Sequence, residues 1–179
     1  INLSSIFYQF QSIVFETIDA LIHTLAGVRN QLSEDQAVTL KSYFTQIVLP
    51  LTHQSDFCKY AFQKPRGYAG DFIAMEKIWL GRTQPEQHRY LGDTVLGKLI
   101  NALTLDMANC KANEFRVHRL KTLLSAQKYK KIAIIGSGSA IELRETLKEL
   151  PFQDTEVHLF DQDQGALDFV RDDIDFSGL

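Results

Sequence analysis

The feature that most constrains this chain is a change of hydrophobic period near Lys130. Upstream, apolar residues recur at steps of three and four. At Ile132-Ala133-Ile134-Ile135 they become a short β-branched run without polar alternation, the pattern of a strand buried on both faces of a parallel sheet. Gly136-Ser137-Gly138-Ser139 follow directly. Next comes a helical stretch carrying Ile141, Leu143, Leu147 and Leu150, closed by Pro151, and then Val157-His158-Leu159-Phe160 as a second strand running into Asp161. Strand, glycine turn, helix, strand is a βαβ unit.

Everything before residue 128 reads as all-α. Leu3, Ile6, Phe7, Phe10, Ile13, Val14, Ile18, Leu21, Ile22, Leu25 and Val28 fall on one stripe of a long amphipathic helix where a helical core begins. Ser33 with Gln36 is a capping-box pair opening a second helix, packed on the first and ended by Pro50. Further helices are expected around Phe57 to Phe62, from Phe72 to Trp79 with a break at Gly81 to Pro85, from about Glu86 to Met107, and from Asn113 to Gln127. The fold class expected is therefore a mainly α N-terminal helical domain, residues 1–128, followed by the start of an α/β Rossmann-like domain, residues 129–179. A complete domain of that kind needs about seven strands, so this one is expected to be incomplete, inactive alone, and left with an unpaired strand flank.

Composition narrows the function classes. With 45% hydrophobic and 23% charged residues the chain should fold, and a net charge of -3 leaves no basic field for nucleic acid. No apolar run approaches a membrane span, and no signal peptide opens the chain, so a cytoplasmic location is expected. Cys58 and Cys110 each stand alone, as reduced buried thiols do. The five histidines are scattered without a metal-binding spacing.

Glycines between a strand and its helix let the backbone turn tightly and approach a ligand, with free N–H groups facing it. This assigns Gly136, Ser137, Gly138 and Ala140 to a small polar ligand, with Glu142 in the first helical turn beside them. Asp161, just past the second strand, is placed to accept hydrogen bonds from the hydroxyls of an adenosine ribose. The pyrophosphate fingerprint needs a glycine at position 141, where the residue is Ile141, so NAD is disfavoured. S-adenosyl-L-methionine carries no pyrophosphate, and the looser G-x-G-x-A suffices for it. A plain strand-to-helix turn stays open as an alternative, Glu142 could simply favour the helix dipole, and Asp163 reads as a helix cap.

Three stretches together, K-P-R-G-Y-A-G-D-F (Lys64 to Phe72), I-G-S-G-S-A-I-E-L (Ile135 to Leu143) and F-D-Q-D-Q-G-A-L (Phe160 to Leu167), resemble the class I bacterial methyltransferases related to the extracellular-factor, 3-hydroxypalmitic acid methyl ester, biosynthesis protein. The resemblance covers most of the chain. It implies S-adenosyl-L-methionine as cofactor and a small-molecule acceptor, a hydroxy fatty acid converted to its methyl ester. Gly138, Ala140 and Glu142 fit the family's G-x-A-x-E. From the general methyltransferase pattern the chain departs at Ile134, where an acid often stands, and at Ala140, where a third glycine often stands.

The Lys64 to Asp71 loop holds two cations, a tyrosine and a carboxylate between a proline and two glycines. As a lid or substrate loop it offers Arg66 to fork a substrate carboxylate, Tyr68 to close over the cofactor, and Asp71 beside them. The competing reading makes Asp71 a helix cap and Arg66 half of a surface ion pair. If the loop is functional, Arg66 and Tyr68 should lie near the Gly136 to Gly138 turn, about 70 residues away in sequence. A helical interaction module with a vestigial nucleotide fold and an NAD-dependent enzyme remain the alternatives, and a homo-oligomer is left open.

Overall fold

The computed structural model describes residues 2–126, 129–150 and 155–173. Its elements are α1 (Leu3–Arg29), α2 (Glu34–Ile47), α3 (Leu49–Thr52), α4 (Asp56–Gln63), α5 (Phe72–Thr83), α6 (Pro85–His88), α7 (Val95–Leu105), α8 (Ala108–Ala126), β1 (Lys131–Ile135), α9 (Ile141–Leu147), β2 (Glu156–Phe160) and α10 (Gln164–Asp173). The protein is mainly helical, with one small two-stranded parallel sheet in register Lys131↔Glu156 through Ile135↔Phe160. Among the described residues no helix is long and apolar enough to cross a membrane, and no acid, histidine and cysteine group could hold a metal.

Local chemistry explains most boundaries. The capping box at Ser33 is formed in both directions with Gln36. Pro50 lies in the first turn of α3, where a missing N–H costs nothing. Helix α8 begins at Ala108, ahead of the Asn113 expected, and two breaks are misplaced. Helix α5 runs on through Gly81 to Thr83, because Gly81 is an approach point for α7 and not a breaker: a Cβ there would stand 2.5 Å from Leu105 Cδ1. The single helix expected from Glu86 to Met107 is two. The buried Asn101 amide donates to Arg89 O at 2.9 Å, while its oxygen accepts from Ser55 Oγ and Phe57 N, both at 2.9 Å. That clasp, with Thr94 capping α7 through Gly97 N, holds residues 89–94 out of helix.

Four small cores hold the layers. Phe57, Ala74, Ile78, Leu105 and Cys110 join α4, α5, α7 and α8, and burial pushes the Cys110 thiol up to about 11. Cys58 and Cys110 are both free thiols. Phe7 with Ala102 and Leu103 docks the start of α1 on α7. Further along α1, Phe10, Ile13, Leu21 and Val28 are exposed and Leu25 is half-buried, while the side chains of Val14, Ile18 and Ile22 lie outside the described ones.

The other two cores cross the boundary drawn between the parts. Trp79 of α5, Val117 of α8 and Ile141 of α9 form one, and Arg144 pairs with Glu76 beside it at 2.5 Å. In the other, Ala140, Leu143 and Val170 pack with Leu124 of α8 against Ile132, Ile134, Val157 and Leu159 of the sheet. The helical and βαβ portions thus share their interior. The opposite sheet face, with Ala133, Ile135, His158 and Phe160, is exposed, Ile135 at 86%. The expectation of strands buried on both faces is met on one only: α8, α9 and α10 all lie on the Ile132 side. Pro151, expected to close α9, lies outside the described residues.

Candidate functional site

The end of β1 and the end of β2 are tied before the chain turns. Gly136 N and Ser137 N donate to Phe160 O at 2.7 and 3.1 Å. Gly136 (φ 65) and Gly138 (φ 52) take left-handed conformations that favour glycine, and so does Ala140 (φ 47), the N-cap of α9. An alanine there costs about 1–2 kcal/mol over a glycine. The departure from the three-glycine pattern thus falls on a backbone position that glycine would occupy without strain.

Asp161 closes the turn. Its Oδ2 accepts from Gly138 N at 2.7 Å and its Oδ1 from Asp163 N at 2.8 Å. Each carboxylate oxygen keeps a second lone pair for another donor. The acid expected to bind a ribose therefore also fixes the glycine turn and the start of α10.

Around this turn lies a cavity of about 530 Å³, within the range of small-molecule sites. One wall is the turn from Ile135 to Glu142. Facing it are Tyr68, Gly70, Phe72 and Met75 from the loop and α5, with Arg116 and Val117 from α8, and Phe160, Asp161 and Gln162 on the β2 side. Phe72 comes close enough that a Cβ on Gly138 would stand 3.5 Å from its own. The Ser137 and Ser139 hydroxyls are buried without a hydrogen-bond partner among the described residues, and both residues line the cavity. Buried hydroxyls are ordinarily satisfied, so two orphans on one cavity wall point to groups that a ligand completes.

Of the loop, Tyr68 lines the same cavity as the Gly136 to Gly138 turn and Arg66 does not, and its three residues divide their labour. Tyr68 reaches the cavity, with its hydroxyl donating to Asp163 Oδ2 at 2.9 Å, and burial first, then that bond, raises its pKa. Arg66 forks Asp163 through Nε and Nη2 and stacks over the Phe72 ring, 4.8 Å from its centroid. The fork expected for a substrate carboxylate is thus occupied by Asp163. The Arg66 bond holds the Asp163 carboxyl down at about 2, and Asp163 in turn raises the pKa of Arg66. Asp71 is the N-cap of α5, accepting from Ala74 N at 2.9 Å and from Tyr60 Oη at 3.1 Å, and is fully buried away from the cavity. Burial, then the Asp71 bond, pushes the Tyr60 hydroxyl up to about 12. Asp71 is thus a cap and Arg66 half of an ion pair, as the structural reading of the loop has it, while Tyr68 is part of the cavity wall.

Two functional candidates escaped the sequence. Asp163 is a cap, accepting from Gly165 N at 3.0 Å, and no local pattern announces its partner 97 positions away in the chain. Arg116 is one exposed arginine in a helix rich in charge, and only the packing of α8 brings it to the cavity. No family model, curated protein or solved structure matches this chain.

Proposed function

We propose that the cavity binds S-adenosyl-L-methionine and that the protein serves methyl transfer, its βαβ unit being the start of a Rossmann-like sheet. The observation that carries this reading is a pair of opposite charges left open on one cavity. Arg116 and Glu142 both line it, and among the described residues neither side chain has an ion-pair or hydrogen-bond partner. An unpaired cation and an unpaired anion lining one small cavity complement a zwitterion, and the amino-acid end of this cofactor is one. The free lone pairs of Asp161 suit ribose hydroxyls, the Ser137 and Ser139 hydroxyls gain partners, and Tyr68, Phe72 and Phe160 supply faces for a purine and a sulfonium. The pyrophosphate of NAD would instead set two negative charges beside Glu142, at a turn with Ile141 in place of the fingerprint glycine.

When bound, the sulfonium supplies a methyl group for in-line displacement by the acceptor. A carboxylate acceptor, such as that of a hydroxy fatty acid, is already charged and needs no general base. The work left to the chain is positioning and exclusion of water. Arg66 contributes by holding the loop closed on Asp163, which sets Tyr68 against the cavity.

Titration calorimetry with S-adenosylhomocysteine and with NAD tests the assignment. The homocysteine compound should bind and NAD should not, and Arg116→Ala and Glu142→Gln should each weaken binding by about tenfold, the loss of one charge-assisted bond. Binding of NAD alone, or affinity for the homocysteine compound indifferent to both substitutions, overturns the proposal.

A further inference from the structure

The loop between α4 and α5 is fixed at its ends and lightly held between them. Lys64 N donates to Tyr60 O at 3.1 Å, and Asp71 is buried, accepting from Tyr60 Oη and capping α5. Residues 64–70 are exposed apart from the half-buried Tyr68. Their backbone makes a turn of its own, Gly67 N donating to Lys64 O at 2.8 Å, with Lys64 (φ 47), Gly67 (φ 85) and Gly70 (φ 69) in the left-handed region. Among the described residues, the hydrogen bonds and ion pairs from the loop to the βαβ portion all end on one carboxylate, that of Asp163. A segment pinned at both ends and held in the middle through a single group swings when that group lets go.

The seat of that contact is shaped for the guanidinium. Gly165, in the first turn of α10, lies so close that a Cβ there would collide with Arg66 Nη2, so the missing side chain leaves the room that Arg66 occupies when it forks Asp163. Beside the clasp, Tyr68 and Gln162 line both the cavity and an outer hollow of about 600 Å³, whose remaining wall is Pro65, Arg66, Gly67, Asp163 and Gln164. Tyr68 and Gln162 are therefore the partition between the two spaces, and Tyr68 is the half that the loop carries. An ion pair with a third of the arginine side chain exposed, one hydroxyl bond and a cation over Phe72 each favour the closed loop by no more than about tenfold. An open form at about 0.1–10% of the chains follows, the range of the minor states that ligands select.

We propose that residues 65–70 are a lid on the cavity, latched by Arg66 and Tyr68 on Asp163 in the seat that Gly165 leaves open, and that release of the latch swings Tyr68 out and joins the cavity to the outer hollow. The lid rests on the cofactor reading only for the identity of what it covers. Trypsin reads the latch directly, because it cuts after an arginine only when the guanidinium enters the protease's own pocket, and Pro65 shields Lys64 from it. In the ligand-free full chain, the cut after Arg66, followed by mass spectrometry, should quicken at least fivefold in Gly165→Ala and in Asp163→Asn, while the cut after Arg119 of α8 keeps its rate. Gly165→Ala wedges the seat without removing either charge, and alanine is the better helix former. Equal rates at Arg66 in the three chains overturn the proposal, and so does a matching rise at Arg119, which would make the clasp a brace of the whole fold. Saturating S-adenosylhomocysteine should slow the Arg66 cut of the native chain at least fivefold, and a compound that binds by calorimetry yet leaves the cut unchanged overturns the lid. Failure of that compound to bind removes the cofactor reading alone, since the three ligand-free chains decide the latch without it.

Discussion

Asp161 offers the sharpest test of how the glycine turn is held. Asp161→Ala removes the acceptor of two backbone donors at once, Gly138 N at 2.7 Å and Asp163 N at 2.8 Å. A hydrogen bond to a charged group contributes about 1.5–3 kcal/mol, and because Asp161 is only half-buried the lower end applies, giving a loss near 3 kcal/mol. Water can replace part of each bond, so about 2 kcal/mol is the least expected. Urea unfolding followed by far-ultraviolet dichroism should show this as a lowered midpoint at unchanged slope. Asp161→Asn keeps one acceptor oxygen but points an amide N–H at the other donor, and should fall between alanine and the native residue. An Asp161→Ala protein within 0.5 kcal/mol of the native one would mean that the turn stands without this carboxylate. Its only remaining role would then be toward a ligand.

Three further outcomes follow from the same geometry. Gly81→Ala should destabilise by about 1–3 kcal/mol in urea titration, because the clash with Leu105 outweighs the gain in helix propensity. Asp163 has its pKa lowered from 3.8 to about 2, so its contribution is full above about pH 4 and fades as pH falls through 2. The melting-temperature gap between the native protein and Asp163→Asn should accordingly close in scanning calorimetry between pH 5 and pH 2. Leu143→Ala, at a fully buried site, should cost about 2–5 kcal/mol and still leave one transition by dichroism and by Trp79 fluorescence, since the cores of the two portions are continuous.

How much was legible in the sequence depended on how local its cause was. The capping box at Ser33, the strands at Ile132 and Val157 and the tight turn at Gly136 to Gly138 follow from residues within a few positions of one another, and they appear at those places. Gly81 was misread because propensity makes glycine a breaker, whereas its value here is the missing Cβ facing a helix more than 20 residues on. The split of the 86–107 stretch has a similar origin: Asn101 reaches back to Ser55, Phe57 and Arg89, and apolar spacing carries no trace of a buried amide's partners. At the site, Asp161 and the glycines were visible from their spacing. Asp163 as the anchor of Arg66, and Arg116 as a cation on the cavity, come from tertiary packing alone.

The clasp between Arg66 and Asp163 has a consequence for synthesis on the ribosome. The chain emerges from its N-terminus, so the loop and α5 leave the exit tunnel long before residue 163 exists. Until then Arg66 has no anchor, and Phe72 and Trp79 lack the covers later supplied by Phe169 and Ile141. The nascent helical portion therefore carries an open aromatic face for the several seconds that about 100 residues take to translate.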